Sequence, residues 1–201
     1  MKHVHGGKQR DIRFDKRASV YDKGFEGKSA GWFYRLILSE LKLNDDARVL
    51  DVGCGTGALL RMMSDRYRII GAGIDMGQGM IEQAHRSCPE MDIRVSRCED
   101  TPFDNDTFDA LTCCLAYHHF SDKQGFAKEA FRILKPGGRL YIADPGFPAF
   151  IRIPLNGIFR YMNIAGEFCT QNEINIRFAQ FGFAPVSYAK KGLAQVVVLQ
   201  K

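Results

Sequence analysis

The chain has 201 residues, of which 45% are hydrophobic and 25% charged, enough to bury one sizeable core and too apolar for a disordered chain. Its N-terminus, MKHVHGGKQRDIRF, is polar and basic, and no run of about eighteen apolar residues occurs; neither a signal peptide nor a membrane span is expected, and the expected location is the cytoplasm. The net charge of +5 has one source, because residues 1 to 35 hold nine Lys/Arg against four Asp/Glu while the remainder holds nineteen of each.

A basic arm can attract an anionic substrate or nucleic acid, or be only a solvated helix face and a frayed tail. The second reading is preferred. Aromatic residues interleave with these Lys/Arg only at Phe14, Tyr21 and Phe25, and no RNA-binding module is appended. The six cysteines form no C-x-x-C pair and have no His at zinc-ligand spacing, so neither a metal site nor a disulfide framework is indicated.

Residues 29 to 43 place Trp32, Phe33, Leu36, Ile37 and Leu41 at helical spacing. Arg48 to Val52 reads as a buried strand running into glycines, with a helix from Ala58 to Arg66 behind it. A strand from Ile69 to Ile74, a helix from about Gly77 to Arg86 and a short strand at Ile93 to Val95 continue the alternation. A fourth strand spans Ala110 to Leu115, a helix Lys123 to Leu134, and a fifth strand Arg139 to Ala143, with Lys135-Pro136-Gly137-Gly138 expected to turn between the last two. Alternating strands and helices predict a parallel sheet covered on both faces.

Residues 146 to 168 are apolar but interrupted by Pro148, Pro154, Arg152 and Arg160, and read as an insertion. It is either a substrate lid or a helix packed on the core or in a homodimer interface. A last helix, Gln171 to Phe181, precedes two strands, Ala184 to Ala189 and Ala194 to Leu199, that can pair as a hairpin.

The strongest local signal is Val49-Leu50-Asp51-Val52-Gly53-Cys54-Gly55-Thr56-Gly57-Ala58, a strand entering a glycine loop and then a helix. Gly53, Gly55 and Ala58 also satisfy, loosely, the dinucleotide fingerprint G-x-G-x-x-G/A, which keeps a nicotinamide or flavin enzyme in view. Asp51 separates the readings. A carboxylate two residues before the first glycine repels a pyrophosphate, and no Lys or Arg from Val49 to Leu60 offsets it. A cofactor with a cationic ammonium and sulfonium and no phosphate suits Asp51 better, and that cofactor is S-adenosylmethionine. Asp75 ends the second strand, where a carboxylate can accept hydrogen bonds from a ribose diol. The alternative for both aspartates is a helix cap or a solvated strand end.

With Gly73-Ile74-Asp75-Met76, Met80-Ile81-Glu82-Gln83-Ala84, Thr101-Pro102-Phe103-Asp104-Asn105-Asp106-Thr107-Phe108-Asp109, Ala116-Tyr117-His118-His119-Phe120 and Glu129-Ala130-Phe131-Arg132-Ile133-Leu134-Lys135-Pro136-Gly137-Gly138 following in order, the chain resembles a class I S-adenosylmethionine-dependent methyltransferase of the type 11 group, similar to the ubiquinone/menaquinone biosynthesis enzymes. The resemblance extends from Phe14 to the C-terminus and implies one Rossmann-like methyltransferase domain over residues 1 to 201, with an N-terminal helical cap at 1 to 45. It implies a seven-stranded sheet in the order 3-2-1-4-5-7-6 with strand seven antiparallel. By the same resemblance, Asp51, Gly53 and Gly55 serve the methionyl end of the cofactor, Asp75 the ribose, and Met76 the adenine face, with Cys54 also counted among the cofactor-binding residues. Leu115 lies beside the cofactor, and Tyr21 closes over its methionine end. Where relatives usually carry an Asp for the adenine amine, this chain has Arg97, which offers no acceptor, so Glu99 or the backbone at Cys98 is expected to read the ring.

The expected activity is methyl transfer to a small molecule. A nucleic-acid methyltransferase and a non-catalytic cofactor binder are the alternatives. Methyl transfer needs alignment, desolvation and sometimes a base. His118 is taken ahead of His119 as that base, against the alternative that both histidines only shape the pocket wall.

Overall fold

A computed structural model describes residues 25–162 and 166–201; Phe14, Tyr21, most of the basic arm and residues 163–165 lie outside them. The twelve residues of β5 (Leu134–Pro145) illustrate how the sheet forms: the strand is buried along almost its whole second half and is flanked by strands on both sides. The other strands are β1 (Ala47–Val52), β2 (Ile69–Asp75), β3 (Asp92–Val95), β4 (Phe108–Cys114), β6 (Ala184–Lys191) and β7 (Ala194–Gln200). They form one sheet in the order β3-β2-β1-β4-β5-β7-β6, with β7 antiparallel to both of its neighbours, as the resemblance implied. β1, β4 and β7 are buried on both faces and are nearly continuous apolar runs, the signature of a sheet covered by helices on each side.

On one face lie α1 (Phe25–Glu40), α2 (Ala58–Ser64) and α3 (Gln78–Ser87), whose Ile37, Leu60 and Ala84, with Leu41 just after α1, pack with Val49, Tyr141 and Val198. On the other lie α4 (Lys123–Ile133) and α6 (Gln171–Ala179), where Phe126, Ile133 and Phe178 meet Leu50, Leu111 and Val197. Two expectations about α1 change. It begins at Phe25, and Trp32 is 56% exposed instead of lying on the apolar face; Arg35 and Lys191 place their cations 5.0 and 5.7 Å from its ring centroid. Leu38, 3% exposed, takes a place in the core.

The expected turn at Lys135 to Gly138 is instead the first part of β5. α4 ends at Ile133, and the strand starts at once, with its register against β4 slipping between Phe108 and Ala110. Gly137 adopts φ +80°, and its N–H donates to the Lys201 carbonyl at 3.0 Å, so the two glycines form a bulge zipped to the far end of the chain. Residues 149–161 of the apolar insertion form a single helix, α5 (Ala149–Tyr161), which continues through Pro154. Proline there, sixth of the thirteen residues, omits one hydrogen bond in the helix interior, on an element whose surface is mostly exposed or half-buried. None of the described helices is long and apolar enough to cross a membrane.

Candidate active site

The carboxyl ends of β1, β2, β4 and β5 converge on one edge, where ligands of open α/β sheets bind. Asp51 sits inside β1, 2% exposed, and its Oδ1 accepts a 2.7 Å hydrogen bond from the Thr112 hydroxyl on β4. Burial, reinforced by the charge of Asp75, pushes the Asp51 carboxyl up to about 7 against the opposing pull of the Thr112 bond. Among the described residues, no cation acts on it. A carboxyl in this condition gains most from a ligand that brings positive charge.

The loop after β1 is held by the strand beside it. Gly53 and Cys54 both donate backbone hydrogen bonds to the Ile74 carbonyl, at 2.8 and 2.9 Å. Gly53 adopts φ +74°, and a Cβ there would lie 2.5 Å from the Cβ of Ala116, so the position has neither the conformation nor the room for a side chain. The Cys54 thiol is buried with the α2 side of the core, which leaves its backbone as the part that can face a ligand. All six cysteines are unpaired and buried.

Asp75 organises this loop as well as bordering it. Its Oδ2 accepts from the Gly55 N–H at 3.0 Å and its Oδ1 from the Gly77 N–H at 2.8 Å. Each carboxylate oxygen has a second lone pair, so a ribose diol can still be bonded while the loop stays clamped. Met76, next in sequence, is exposed at the same edge.

Beyond β3, Glu99 is engaged by its neighbours. Its Oε1 accepts from the Arg97 guanidinium, with the Nε contact at 2.7 Å, and its Oε2 accepts from the Cys98 thiol at 3.3 Å. Arg97 therefore serves as the partner of the acid that stands two residues on. Cys98 is buried, and its thiol is pushed up by burial and by Glu99.

Leu115 follows β4 with φ +56°, a left-handed conformation uncommon for a leucine, and its N–H donates to the Ala143 carbonyl at 2.8 Å. Such strain on a non-glycine residue concentrates at functional edges. The next turn, a short 3-10 helix at Tyr117–His119, buries His118, whose Nδ1 lies 2.7 Å from Oδ1 of Asp144 at the end of β5. Asp144 and Thr112 were not singled out from the sequence. Asp144 carried the same signal as Asp51 and Asp75, a carboxylate at the end of a buried apolar strand, and Thr112 was the one hydroxyl within the fourth.

Two sequence motifs prove to be structural. Glu129 on α4 accepts from the Thr101 N–H at 2.8 Å and hydroxyl at 2.6 Å and from Arg132, which also reaches Asn105. Burial alone would raise its carboxyl, but these bonds outweigh it and hold it below the ordinary range. The network ties the loop before β4 to α4. A cavity of about 440 Å³ lined by Arg48, Ile70, Arg94 and Phe103 opens at the opposite, amino-terminal edge, away from Asp51 and Asp75, where folds of this kind do not bind their cofactors.

Residues 50–142 match the model of a family described as a methyltransferase domain. The ubiquinone/menaquinone biosynthesis C-methyltransferase of Geotalea daltonii is 31% identical over 125 residues, covering 58% of this chain and 53% of that protein. The demethylmenaquinone methyltransferase of Tropheryma whipplei is 32% identical over 168 residues, covering 79% of this chain and 70% of that protein. The chain thus spans between about half and 70% of the length of these relatives. In fold, a chain from the complex between the Haloferax volcanii Trm112 methyltransferase activator and its partner superposes with a TM-score of 0.81 at 21% identity, over 93% of this chain and 96% of that one. The order of motifs, the sheet and the shared sequence agree: this chain belongs to the S-adenosylmethionine-dependent methyltransferases of the type 11 group.

Proposed function

We propose that this chain is a single catalytic domain that transfers a methyl group from S-adenosylmethionine to a small, soluble or lipid-derived acceptor. The observation that carries the reading is the buried Asp51 carboxyl, which meets no cation among the described residues and accepts from the Thr112 hydroxyl, beside a loop that excludes any side chain at Gly53. A pyrophosphate is repelled by such a group and a sulfonium or ammonium is attracted. When bound, the cofactor supplies a methyl carbon already activated by its positive sulfur.

The residues divide the work. Asp51 and the backbone of Gly53, Cys54 and Gly55 hold the methionyl end, Asp75 holds the ribose, Met76 packs on adenine, and Cys98 with Glu99 borders the purine. Leu115 presses on the cofactor from β4. Tyr21, which the resemblance assigns to the methionine end, lies outside the described residues. The relatives named for demethylmenaquinone favour an aromatic acceptor of the quinone class, which bears hydroxyls in its reduced form. Calorimetric titration with S-adenosylmethionine tests the reading directly; absence of binding, or tight binding of NADH, sinks it.

Because a cation binds the ionised Asp51 only, binding should release a proton near neutrality. Affinity for S-adenosylmethionine is expected to be about tenfold weaker at pH 6 than at pH 8, with a heat that depends on the buffer's ionisation enthalpy. A pH-independent affinity would remove Asp51 from the role.

The helix α5 is proposed as a lid over the acceptor. Asn156, on its buried side, donates to the Phe168 carbonyl and accepts from the Phe168 N–H, both at 3.0 Å, and Arg152 pairs with Glu173 at 3.2 Å. Asn156→Ala leaves two backbone groups without partners. Limited proteolysis should then cut within 146 to 168 roughly fivefold faster, and S-adenosylmethionine with an acceptor should slow cutting in the parent protein. Equal rates in all cases would argue for fixed packing.

A further inference from the structure

The cofactor reading leaves one buried carboxylate at the same edge unused. Asp144, 2% exposed, closes the apolar run of β5, and the contact it makes is with the imidazole of His118. That ring is fixed on several sides. It stacks on Phe168 with centroids 4.9 Å apart and planes 19° apart, the His119 ring lies 3.9 Å away, and the His118 carbonyl accepts the Glu167 N–H at 2.8 Å. A carboxylate only accepts, so Nδ1 carries the hydrogen and Nε2 is left as an acceptor. No hydrogen bond to Nε2 is made by the described residues, and the ring keeps 10% of its surface exposed.

We infer that Asp144 is a positioning residue that holds His118 as the proton acceptor of the reaction, and that the methyl acceptor is a compound reacting through an aromatic or enolic hydroxyl. The inference rests on the methyltransferase reading. The aromatic character follows from the surroundings of the base: Phe147 and Phe159 lie 4.9 and 5.7 Å from Phe168, the first edge-on at 86° and the second tilted at 39°, so the ring of His118 belongs to an apolar cluster of aromatic rings. The hydroxyl follows from the base. A neutral amine is nucleophilic without help and a thiol ionises readily, whereas a hydroxyl must lose its proton as it attacks.

In that step the hydroxyl proton passes to Nε2 of His118. The electron pair it leaves, acting from oxygen or from the conjugated ring carbon, forms the new bond to the methyl carbon, and the carbon–sulfur pair departs with sulfur as a neutral thioether. Attack through carbon is completed when that carbon's hydrogen returns as a proton to the oxygen. The imidazolium, stabilised by Asp144, then gives its proton to water. Other titratable groups near the pair do not compete for this role. Cys113 and Cys114 sense Asp144, but burial pushes both thiols up and keeps them neutral. Lys123 donates to the Phe120 carbonyl at 2.8 Å, and Glu167 turns its carboxylate to Arg177 at 3.7 Å.

The test compares the full chain with His118→Gln, Asp144→Asn and Asp144→Glu. Melting curves report folding, and should Asp144→Asn fail to fold, the other two variants carry the test. S-adenosylhomocysteine affinity should stay within about threefold in every variant, since neither residue is assigned to the cofactor. Nitrogen-15 spectra should show the Nδ1-protonated tautomer in the parent and a mixture in Asp144→Asn. Single-turnover transfer to 1,4-dihydroxynaphthalene should fall at least about 100-fold in His118→Gln, with a flattened pH profile, and about tenfold or more in Asp144→Asn, with partial rescue by Asp144→Glu. Transfer by His118→Gln and Asp144→Asn within about threefold of the parent overturns the inference. So does a parent protein that binds S-adenosylhomocysteine yet leaves the probe unmethylated. A parent that fails to bind S-adenosylhomocysteine instead brings down the methyltransferase reading, and this inference with it.

Discussion

Asp51→Asn is expected to weaken S-adenosylmethionine binding by at least about 100-fold while making the cofactor-free protein more stable at pH 8. The amide is nearly the same size and its oxygen can still accept the Thr112 hydroxyl, now at 2.7 Å from Oδ1, so the geometry survives and the charge does not. In the free protein the carboxyl is pushed up from 3.8 to about 7. A folded state that holds a proton more tightly than the unfolded chain is favoured at low pH, and it loses that advantage as pH rises from 3.8 to about 7. The full loss above pH 7 is on the order of 4 kcal/mol, and allowing for relaxation a gain of about 2 to 4 kcal/mol is expected for the variant at pH 8. Below pH 4 the two proteins should melt together. Urea unfolding at the two pH values, with calorimetry of the cofactor, checks both halves; equal stability at pH 8 or undiminished affinity would show that Asp51 is a structural residue.

Gly53→Ala is expected to lose roughly 3 kcal/mol of stability and to bring cofactor affinity down at least about 50-fold. Two costs combine there. The backbone at φ +74° strains any side chain, and the added methyl would meet the Ala116 Cβ at 2.5 Å, forcing the β1 loop and the turn before His118 apart. Gly55→Ala is the control: it shares a positive φ, +53°, but its Cβ would meet nothing within 4 Å, so about 1 kcal/mol is expected. Should the two variants unfold at the same urea concentration, crowding against Ala116 is not what reserves the position for glycine.

The sheet was legible because its strands are mostly short apolar runs, and β1, β2 and β5 run into glycine, aspartate or proline, residues with a direct geometric meaning. Asp51 and Asp75 could be placed from sequence because both close such runs. What resisted was context supplied by distant segments. Lys135 to Gly138 looks like a turn in isolation, and becomes strand only because Lys201 pairs with it across 64 residues of chain. Trp32 fits an apolar stripe by spacing, yet cations from α1 and β6 draw its ring outward. Pro154 reads as a break, but the helix it interrupts is tied to the chain that follows by its own Asn156, which bonds the Phe168 backbone. The partnership of His118 with Asp144 spans 26 residues and two strands, and no local pattern announces it.

β7 lies between β5 and β6, although it follows both in the chain. During synthesis, then, the ribosome releases β6 with no neighbour to pair with, and β5 keeps an unsatisfied apolar edge until the last strand emerges and slots between them. Nascent chains halted before Ala194 should be the form most prone to clump and most dependent on chaperones.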